Sequence, residues 1–157
     1  PPGSACSARE RADREADRAS DTARAMSQQN AKVVLAAVEA QRRRDWEAFR
    51  GLYDPNIEWE DVSGLWGDWG TRRGFDEVRD AWATWFEAFE RVDFEIEGLV
   101  EAADTVVAFI RVSGRGRGSG LVIDQRLPSV WTVRGERVVR VRAYRDDADA
   151  LEAAGLR

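Results

Sequence analysis

The chain contains no histidine, and this absence restricts the chemistry that its side chains can perform. Histidine dyads, Ser-His-Asp triads and imidazole metal sites are all excluded within it. Proton transfer must therefore use a carboxylate, a tyrosine, the single cysteine Cys6 or the single lysine Lys32. The remaining basic residues are arginines, which stay protonated and suit anion binding better than proton transfer.

A second group of candidate residues lies in a glycine-rich stretch. Residues 63–74 contain four glycines, with Trp66 and Trp69 between them. Core packing alone does not explain well why a glycine-rich loop contains two tryptophans. Either a flap over a binding pocket or a contact between subunits accounts for them better.

Hydrophobic periodicity predicts the elements that position these residues. Asp45 is typical of a helix N-cap, and Asp54-Pro55-Asn56 is typical of a turn. Helices followed by consecutive strands predict an α+β fold, with helices packed on one face of a curved antiparallel sheet. The predicted helices cover 28–44, 46–52, about 75–90 and 147–154; the predicted strands cover 57–62, 92–96, 105–112, 120–133 and 137–145.

Composition limits the partners. The chain has 157 residues, the length of one domain, and 43% of them are hydrophobic. Its net charge of −5 makes it a poor electrostatic match for nucleic acid or an anionic membrane. One cysteine permits neither an intrachain disulfide nor a cysteine metal cluster. No apolar run approaches the roughly 20 residues that span a bilayer, so we expect a cytoplasmic protein with no nucleic-acid or membrane partner.

The chain divides into two parts by composition. Residues 1–25 contain no Val, Ile, Leu or aromatic residue and balance five Arg with five Asp or Glu. They predict a disordered or fraying N-terminal arm, which a start assigned too far upstream would explain; an arm that binds a partner is the alternative. Residues 26–157 are the predicted domain. The excess of Arg over Lys indicates a GC-rich bacterial source.

Several short motifs resemble the nuclear transport factor 2-like (NTF2-like) superfamily, and within it the SnoaL-like group of small bacterial proteins. The resemblance covers about residues 27–157. It lies in the order and spacing of DWEAF (45–49), DPNIEW (54–59), RGFDEV (73–78), GRGRGSG (114–120), AYRD (143–146) and ALEAAGL (150–156).

The resemblance implies a cone-shaped fold. Three N-terminal helices pack on a strongly curved antiparallel sheet, and a short C-terminal helix follows. Members have a mostly apolar pocket at one end of the cone and commonly dimerise through the outer face of the sheet. We therefore expect a small hydrophobic or aromatic ligand, a homodimer and no cofactor.

Asp61 is the predicted catalytic base. The stretch Ile57–Asp61 resembles the ketosteroid isomerase strand that ends in Glu-Asp and supplies the general base. A partly desolvated carboxylate there would abstract a proton next to a carbonyl group. The alternative is that Asp61 caps the glycine-rich loop or pairs with an arginine.

Arg145 is the second predicted catalytic residue. Alignment on the motifs points it into the cone, where it would hold an anionic group of the ligand. The alternative is an ion pair with Asp61, Glu60 or Asp146. The same alignment points Val139, Val141 and Ala143 inward, and Val138, Arg140, Arg142 and Tyr144 outward.

The predicted pocket walls are largely aromatic, although ordinary core packing is the alternative, most of all for Trp82 and Trp85. Ketosteroid isomerases hold the enolate oxygen with a Tyr and a protonated Asp. Here the matching positions are Ala37 and Ser129, so steroid isomerisation is not expected. The predicted substrate-binding residues are Trp59, Trp66, Trp69, Trp85, Ser129 and Trp131.

Two functions remain open from the sequence. The first is a SnoaL-like cyclase or isomerase, in which Asp61 acts as base on a hydrophobic, carbonyl-containing ligand. The second is a non-catalytic ligand-binding or dimerisation domain that uses the same pocket without chemistry.

Overall fold

The computed structural model describes residues 7–64, 66–67 and 69–156. Four helices and six strands follow one another within these ranges. In chain order they are α1 (Ala8–Arg43), α2 (Trp46–Leu52), β1 (Tyr53–Asp61), β2 (Thr71–Arg73), α3 (Phe75–Glu87), β3 (Phe89–Ala102), β4 (Thr105–Gly116), β5 (Val122–Arg134), β6 (Arg137–Ala143) and α4 (Asp147–Ala153).

The described strands form one sheet in the order β2-β1-β6-β5-β4-β3. The α+β prediction is confirmed, with two differences in the sheet. The glycine-rich stretch contains the short strand β2, and β1 pairs with β6 in parallel rather than antiparallel. This parallel pair places Asp61 opposite Ala143.

The predicted N-cap and the predicted turn lie near the two ends of α2. Asp45 caps α2, and its Oδ1 accepts a hydrogen bond from the backbone N–H of Ala48 at 3.2 Å. The predicted turn at 54–56 is an irregularity inside β1. There Asp54 accepts from the N–H of Asn56 at 2.8 Å, and the β1–β6 register shifts.

Helices α1 and α3 cover the concave face of the sheet, and the main core lies between them and the strands. The apolar stripe of α3 supplies the buried residues Phe75, Val78, Trp82 and Phe86. Register shifts within the β3–β4 pair bend the sheet around these helices.

A smaller cluster lies on the opposite face of the sheet, beneath α4. Tyr144 packs there with Val107, Phe109, Val130 and Ala150, and is buried although it points outward. The prediction that Val138 points outward is wrong, because Val138 is fully buried in the main core. The register shift between Thr132 and Val133 in the β5–β6 pair reverses the alternation of side chains at this end of β6.

The N-terminal segment is part of α1 from Ala8 onward. A capping box starts the helix: Ser7 Oγ accepts from the N–H of Glu10, and the Glu10 carboxylate accepts from the N–H of Ser7. Side chains from 8 to 26 are exposed, and Ala31 is the first buried residue of α1. The first six residues of the arm, Cys6 among them, lie outside the described residues.

No helix in the described ranges is both long enough and apolar enough to cross a membrane.

Removing residues 1–26 tests whether the domain begins near Met26. Since that part of α1 buries no side chain, the melting temperature should change by less than about 3 °C. Ser27 is then available as a new N-cap. Removing residues 1–34 also takes away Ala31, Val33 and Val34, and should lower the free energy of unfolding by at least about 2 kcal/mol. Equal melting temperatures for the two truncated chains would contradict this boundary.

Candidate functional site

A small cavity lies inside the main core, between α1, α3 and the sheet. Its volume is about 20 Å³, enough for about one water molecule. Aromatic and aliphatic side chains form almost all of its wall. The lining residues are Val38, Gln41, Trp59, Trp66, Trp82, Phe94, Ile110, Val112, Leu127, Ser129, Trp131 and Ala143.

Indole rings from separate elements meet at this cavity. The ring of Trp82, from α3, lies 5.2 Å from that of Trp59 on β1, in edge-to-face geometry. Trp59 in turn lies 5.4 Å from Trp131 on β5. Tilted and edge-on contacts of this kind are favourable for aromatic pairs. The cavity therefore offers flat apolar surfaces on several sides.

Trp66 closes the cavity from the loop between β1 and β2. We call the described residues of this segment (62–64, 66–67 and 69–70) the Trp66 loop. The Trp66 ring lies 5.0 Å from Trp82 and 4.8 Å from Trp85, and its residue is half-buried. Gly64 and Gly67 adopt φ values near 70°, a conformation that glycine adopts without strain. Among the lining residues, Trp66 alone belongs to neither a helix nor a strand.

Asp61, the predicted base, holds the Trp66 loop. Its Oδ1 accepts from the hydroxyl of Ser63 and from the N–H of Gly64 at 3.2 Å, while Oδ2 accepts from the N–H of Trp66 at 2.9 Å. This geometry corresponds to the alternative in which Asp61 caps the loop. The carboxylate is half-buried beside the cavity and is not part of its wall.

Arg145 lies on the other side of the same loop. Its guanidinium donates to the backbone carbonyl of Ser63 at 2.9 Å, and the residue is exposed. The end of β6 adds two further bonds, because the carbonyl of Ala143 accepts from the N–H groups of Val62 and Ser63. The structure thus brings Asp61 and Arg145 together at the loop, and neither lines the cavity.

The predicted substrate-binding residues separate into two groups. Trp59, Trp66, Ser129 and Trp131 line the cavity, and Ser129 Oγ accepts from the indole N–H of Trp131 at 2.7 Å. Trp69 and Trp85 do not line it. They pack against Trp66 from behind and form, with it, the floor of an open groove on the surface.

Three polar or aromatic residues of the cavity wall were not among the predicted substrate-binding residues, namely Gln41, Trp82 and Phe94. Gln41 follows Ala37 and Val38 by one helical turn, so it is a polar residue on the buried face of α1. That conflict between polarity and position was the available signal. The helical spacing of Trp82 indicates core packing, and periodicity does not separate a core residue from a cavity wall.

Tyr53 lies behind the cavity wall and is almost fully buried. Its ring packs against Phe49, Trp59 and Trp131. Burial raises the pKa of its phenol well above 10, because the surroundings disfavour the phenolate. The tyrosine is therefore a neutral, structural side chain.

Ion pairs on the outer face of the sheet reinforce the β1–β6 pair. Arg140 lies 3.6 Å from Glu58, and Arg142 lies 3.0 Å from Glu60. Within the described ranges, no group of three or more His, Cys, Asp or Glu side chains is arranged to hold a metal ion.

Comparison with known proteins identifies the fold family. The family model for the SnoaL-like domain matches residues 34–141, which span most of the elements that build the cavity. No curated protein sequence is significantly similar to the chain.

Many solved structures share the fold. TerC, co-crystallised with polyporic acid, is 22% identical and has a TM-score of 0.66, covering 81% of this chain and 98% of its own. A putative SnoaL-like polyketide cyclase from Jannaschia sp. CCS1 is 20% identical, with a TM-score of 0.67 and coverages of 83% and 94%. An NTF2-like protein from Burkholderia xenovorans LB400 is 22% identical, with a TM-score of 0.65 and coverages of 82% and 96%. At these identities the likeness shows the fold alone, and it confirms the predicted NTF2-like cone.

The hydrogen bonds of Asp61 predict a measurable change in Trp66. Asp61→Ala removes both acceptor oxygens, so the Trp66 ring should leave the cavity more often and become more accessible to solvent. With 5-fluorotryptophan labelling, the ¹⁹F resonance of Trp66, assigned by Trp66→Phe, should shift and become more sensitive to acrylamide. Asp124→Ala, a change at an exposed carboxylate, serves as control. An unchanged Trp66 resonance in Asp61→Ala would contradict the anchoring role.

Tyr53 predicts a loss of stability at high pH. Its folded-state pKa is raised above the unfolded value of 10.0. The resulting stabilisation is fully present below pH 10 and declines as the pH rises above that value. Urea unfolding between pH 8 and 11 should therefore show a smaller decline for Tyr53→Phe than for wild type. An equal decline of the free energy of unfolding in the two proteins would show that Tyr53 does not cause the loss of stability at high pH.

Proposed function

Because the chain belongs to the SnoaL-like domain family, we propose that it binds a small, flat, hydrophobic ligand with a carbonyl group in the central cavity. The observation that carries this proposal is the cavity wall of Trp59, Trp66, Trp82 and Trp131, of which one member, Trp66, lies on a loop. Stacked and edge-on indole rings favour planar ligands over flexible or charged ones.

Ligand entry requires movement of the wall. A volume of about 20 Å³ does not admit an aromatic ligand. Trp59, Trp82 and Trp131 lie on a strand or a helix, where displacement would break the core. Trp66 lies between two glycines with positive φ, so this ring can swing out at lower cost. A bound aromatic ring would then replace Trp66 against Trp82.

The relatives support a small organic ligand. TerC has been crystallised with polyporic acid, and the Jannaschia protein is described as a putative polyketide cyclase. The proposal for this chain extends that ligand class to the cavity beneath Trp66.

Proton abstraction by Asp61 is a second candidate function. When the Trp66 loop opens, the carboxylate loses the N–H donors of Gly64 and Trp66. The carboxylate, still bonded to the Ser63 hydroxyl, would then remove a proton next to the ligand carbonyl at the mouth of the cavity. Arg145, already bonded to the loop at Ser63, would stabilise the negative oxygen that forms. The alternative is a non-catalytic ligand-binding or dimerisation domain, and we keep the homodimer as part of the proposal.

The binding proposal predicts that a ligand enters the cavity faster when the indole of Trp66 is removed. With 2-acetylnaphthalene as probe, Trp66→Ala should raise the association rate constant at least about tenfold, because no ring has to move first. Stopped-flow tryptophan fluorescence measures this rate. Trp46→Ala is the matched control, since Trp46 is a half-buried tryptophan outside the cavity wall. Equal rate constants for wild type and Trp66→Ala would contradict entry past Trp66.

The same probe separates the catalytic and non-catalytic alternatives. Its methyl protons lie next to a carbonyl group, and in D₂O their exchange is followed by ¹H NMR. If Asp61 acts as base, the protein accelerates this exchange and Asp61→Asn reduces the acceleration about 100-fold or more. Full exchange activity in Asp61→Asn would exclude the base role. Binding without any acceleration would favour the non-catalytic domain.

A further inference from the structure

Three buried polar atoms of residues that line the cavity make no hydrogen bond to the described part of the chain. The indole N–H of Trp66 is on the Trp66 loop, and the other two are on helices. One is the side-chain carbonyl oxygen Oε1 of Gln41, a residue with 4% exposure. The other is the indole N–H of Trp82, a residue with 1% exposure. Buried polar atoms in folded proteins nearly always have partners, because an unpaired one forfeits its hydration without compensation.

The remaining cavity wall does not supply the missing partners. Among the described lining residues, Ser129 has the one hydroxyl group, and its Oγ already accepts from Trp131. The indole N–H of Trp66 is itself unpaired and, as a donor, could pair only with Gln41. The rest is aliphatic or aromatic. Among the residues that the structure describes, no charged side chain lines the cavity, so these residues offer no counter-charge to a desolvated carboxylate or phosphate. The cavity therefore suits a neutral ligand.

The unpaired atoms of Gln41 and Trp82, the two on helices, have opposite hydrogen-bonding character. Gln41 Oε1 can only accept, and the indole N–H of Trp82 can only donate. A hydroxyl group complements both, since its O–H donates while its oxygen accepts. A ketone oxygen would satisfy Trp82 but leave Gln41 unpaired, and an ether would do the same.

We propose that Gln41 and Trp82 recognise a neutral hydroxyl group on the flat, apolar ligand of this cavity. The hydroxyl donates to Gln41 Oε1 and accepts from the Trp82 N–H, while the ring that carries it lies against the indoles. Gln41 on α1 and Trp82 on α3 are then specificity residues on rigid elements, on either side of the ligand. This inference rests on the proposed binding function.

A series of three probes of nearly equal shape tests the inference: naphthalene, 2-naphthol and 2-methoxynaphthalene. At pH 7 a phenol is neutral, so 2-naphthol carries the hydroxyl that the cavity would recognise. Wild type should bind 2-naphthol at least about tenfold more tightly than either analogue, because only 2-naphthol pairs both atoms. Fluorescence titration or calorimetry gives the three dissociation constants.

Gln41→Met keeps the length of the side chain and removes its acceptor. In this variant the preference for 2-naphthol over 2-methoxynaphthalene should fall to about twofold or less, while naphthalene binds as well as before or better. Gln125→Met makes the same change at an exposed position and should leave all three constants unaltered. The melting temperature of unliganded Gln41→Met should equal or exceed that of wild type, since an unpaired buried acceptor has been removed.

The outcomes separate the two proposals. Equal binding of the three probes by wild type would overturn hydroxyl recognition and leave the cavity proposal standing. A preference for 2-naphthol that persists in Gln41→Met, or a lower melting temperature of that variant, would show that Gln41 is paired or has another role. Binding of none of the three probes would overturn the cavity proposal, and the hydroxyl inference with it.

Discussion

The packing of Trp82 at the centre of the cone is the interaction on which the rest of the structure depends. Trp82 is 1% exposed and packs in edge-to-face contact with Trp59, Trp66 and Phe94. These residues come from α3, β1, the Trp66 loop and β3, so one indole joins parts of the chain that are distant in sequence. Large rings fill the space between helix and sheet at little cost in conformational entropy. The same filling leaves a cavity of only about 20 Å³.

The sheet topology explains why the movable wall is Trp66. The parallel pairing of β1 and β6 brings Asp61 beside Ala143, and the chain after each strand continues toward the same end of the cone. Asp61 then accepts from the N–H groups of the Trp66 loop, while Ala143 and Arg145 bind its first residues. These hydrogen bonds hold the base of the loop and leave the indole of Trp66 supported mainly by ring contacts. These ring contacts stabilise Trp66 in the position that closes the cavity. An aromatic ligand can make the same contacts in its place.

Much of the fold could be predicted from the sequence, because its signals are local. The cap at Asp45, the predicted helix from 75 and the predicted strand over 92–96 depend on neighbouring residues. The structure confirms the cap and has both elements, with α3 ending at Glu87 and β3 covering Phe89–Ala102. The helical start at Ala8 is marked by a capping box, in a part of α1 that buries no side chain. The parallel β1–β6 pair, strand β2 and the buried Val138 depend on register between distant segments, which no local pattern encodes.

The candidate site was predictable in part for the same reason. Trp59, Ser129 and Trp131 line the cavity because their strand positions fix the direction of their side chains, and Trp66 lines it from the loop. That these residues bind a ligand stays a prediction. Asp61 and Arg145 were predicted to meet a ligand directly, but their positions depend on the hydrogen bonds of a loop, which sequence does not specify. Gln41 and Trp82 are visible only once α1 and α3 are packed against the sheet. The catalytic role of Asp61 and Arg145 therefore stays a prediction.

A crystal structure of the protein with 2-acetylnaphthalene tests the central claim most directly. The account predicts that the naphthalene ring lies between Trp59, Trp82 and Trp131, with the indole of Trp66 displaced from the position it occupies here. It also predicts that α1, α3 and the sheet keep their arrangement, since only the loop has to move. A ligand bound in the outer groove formed by Trp66, Trp69 and Trp85, with Trp66 still closing the cavity, would contradict the account.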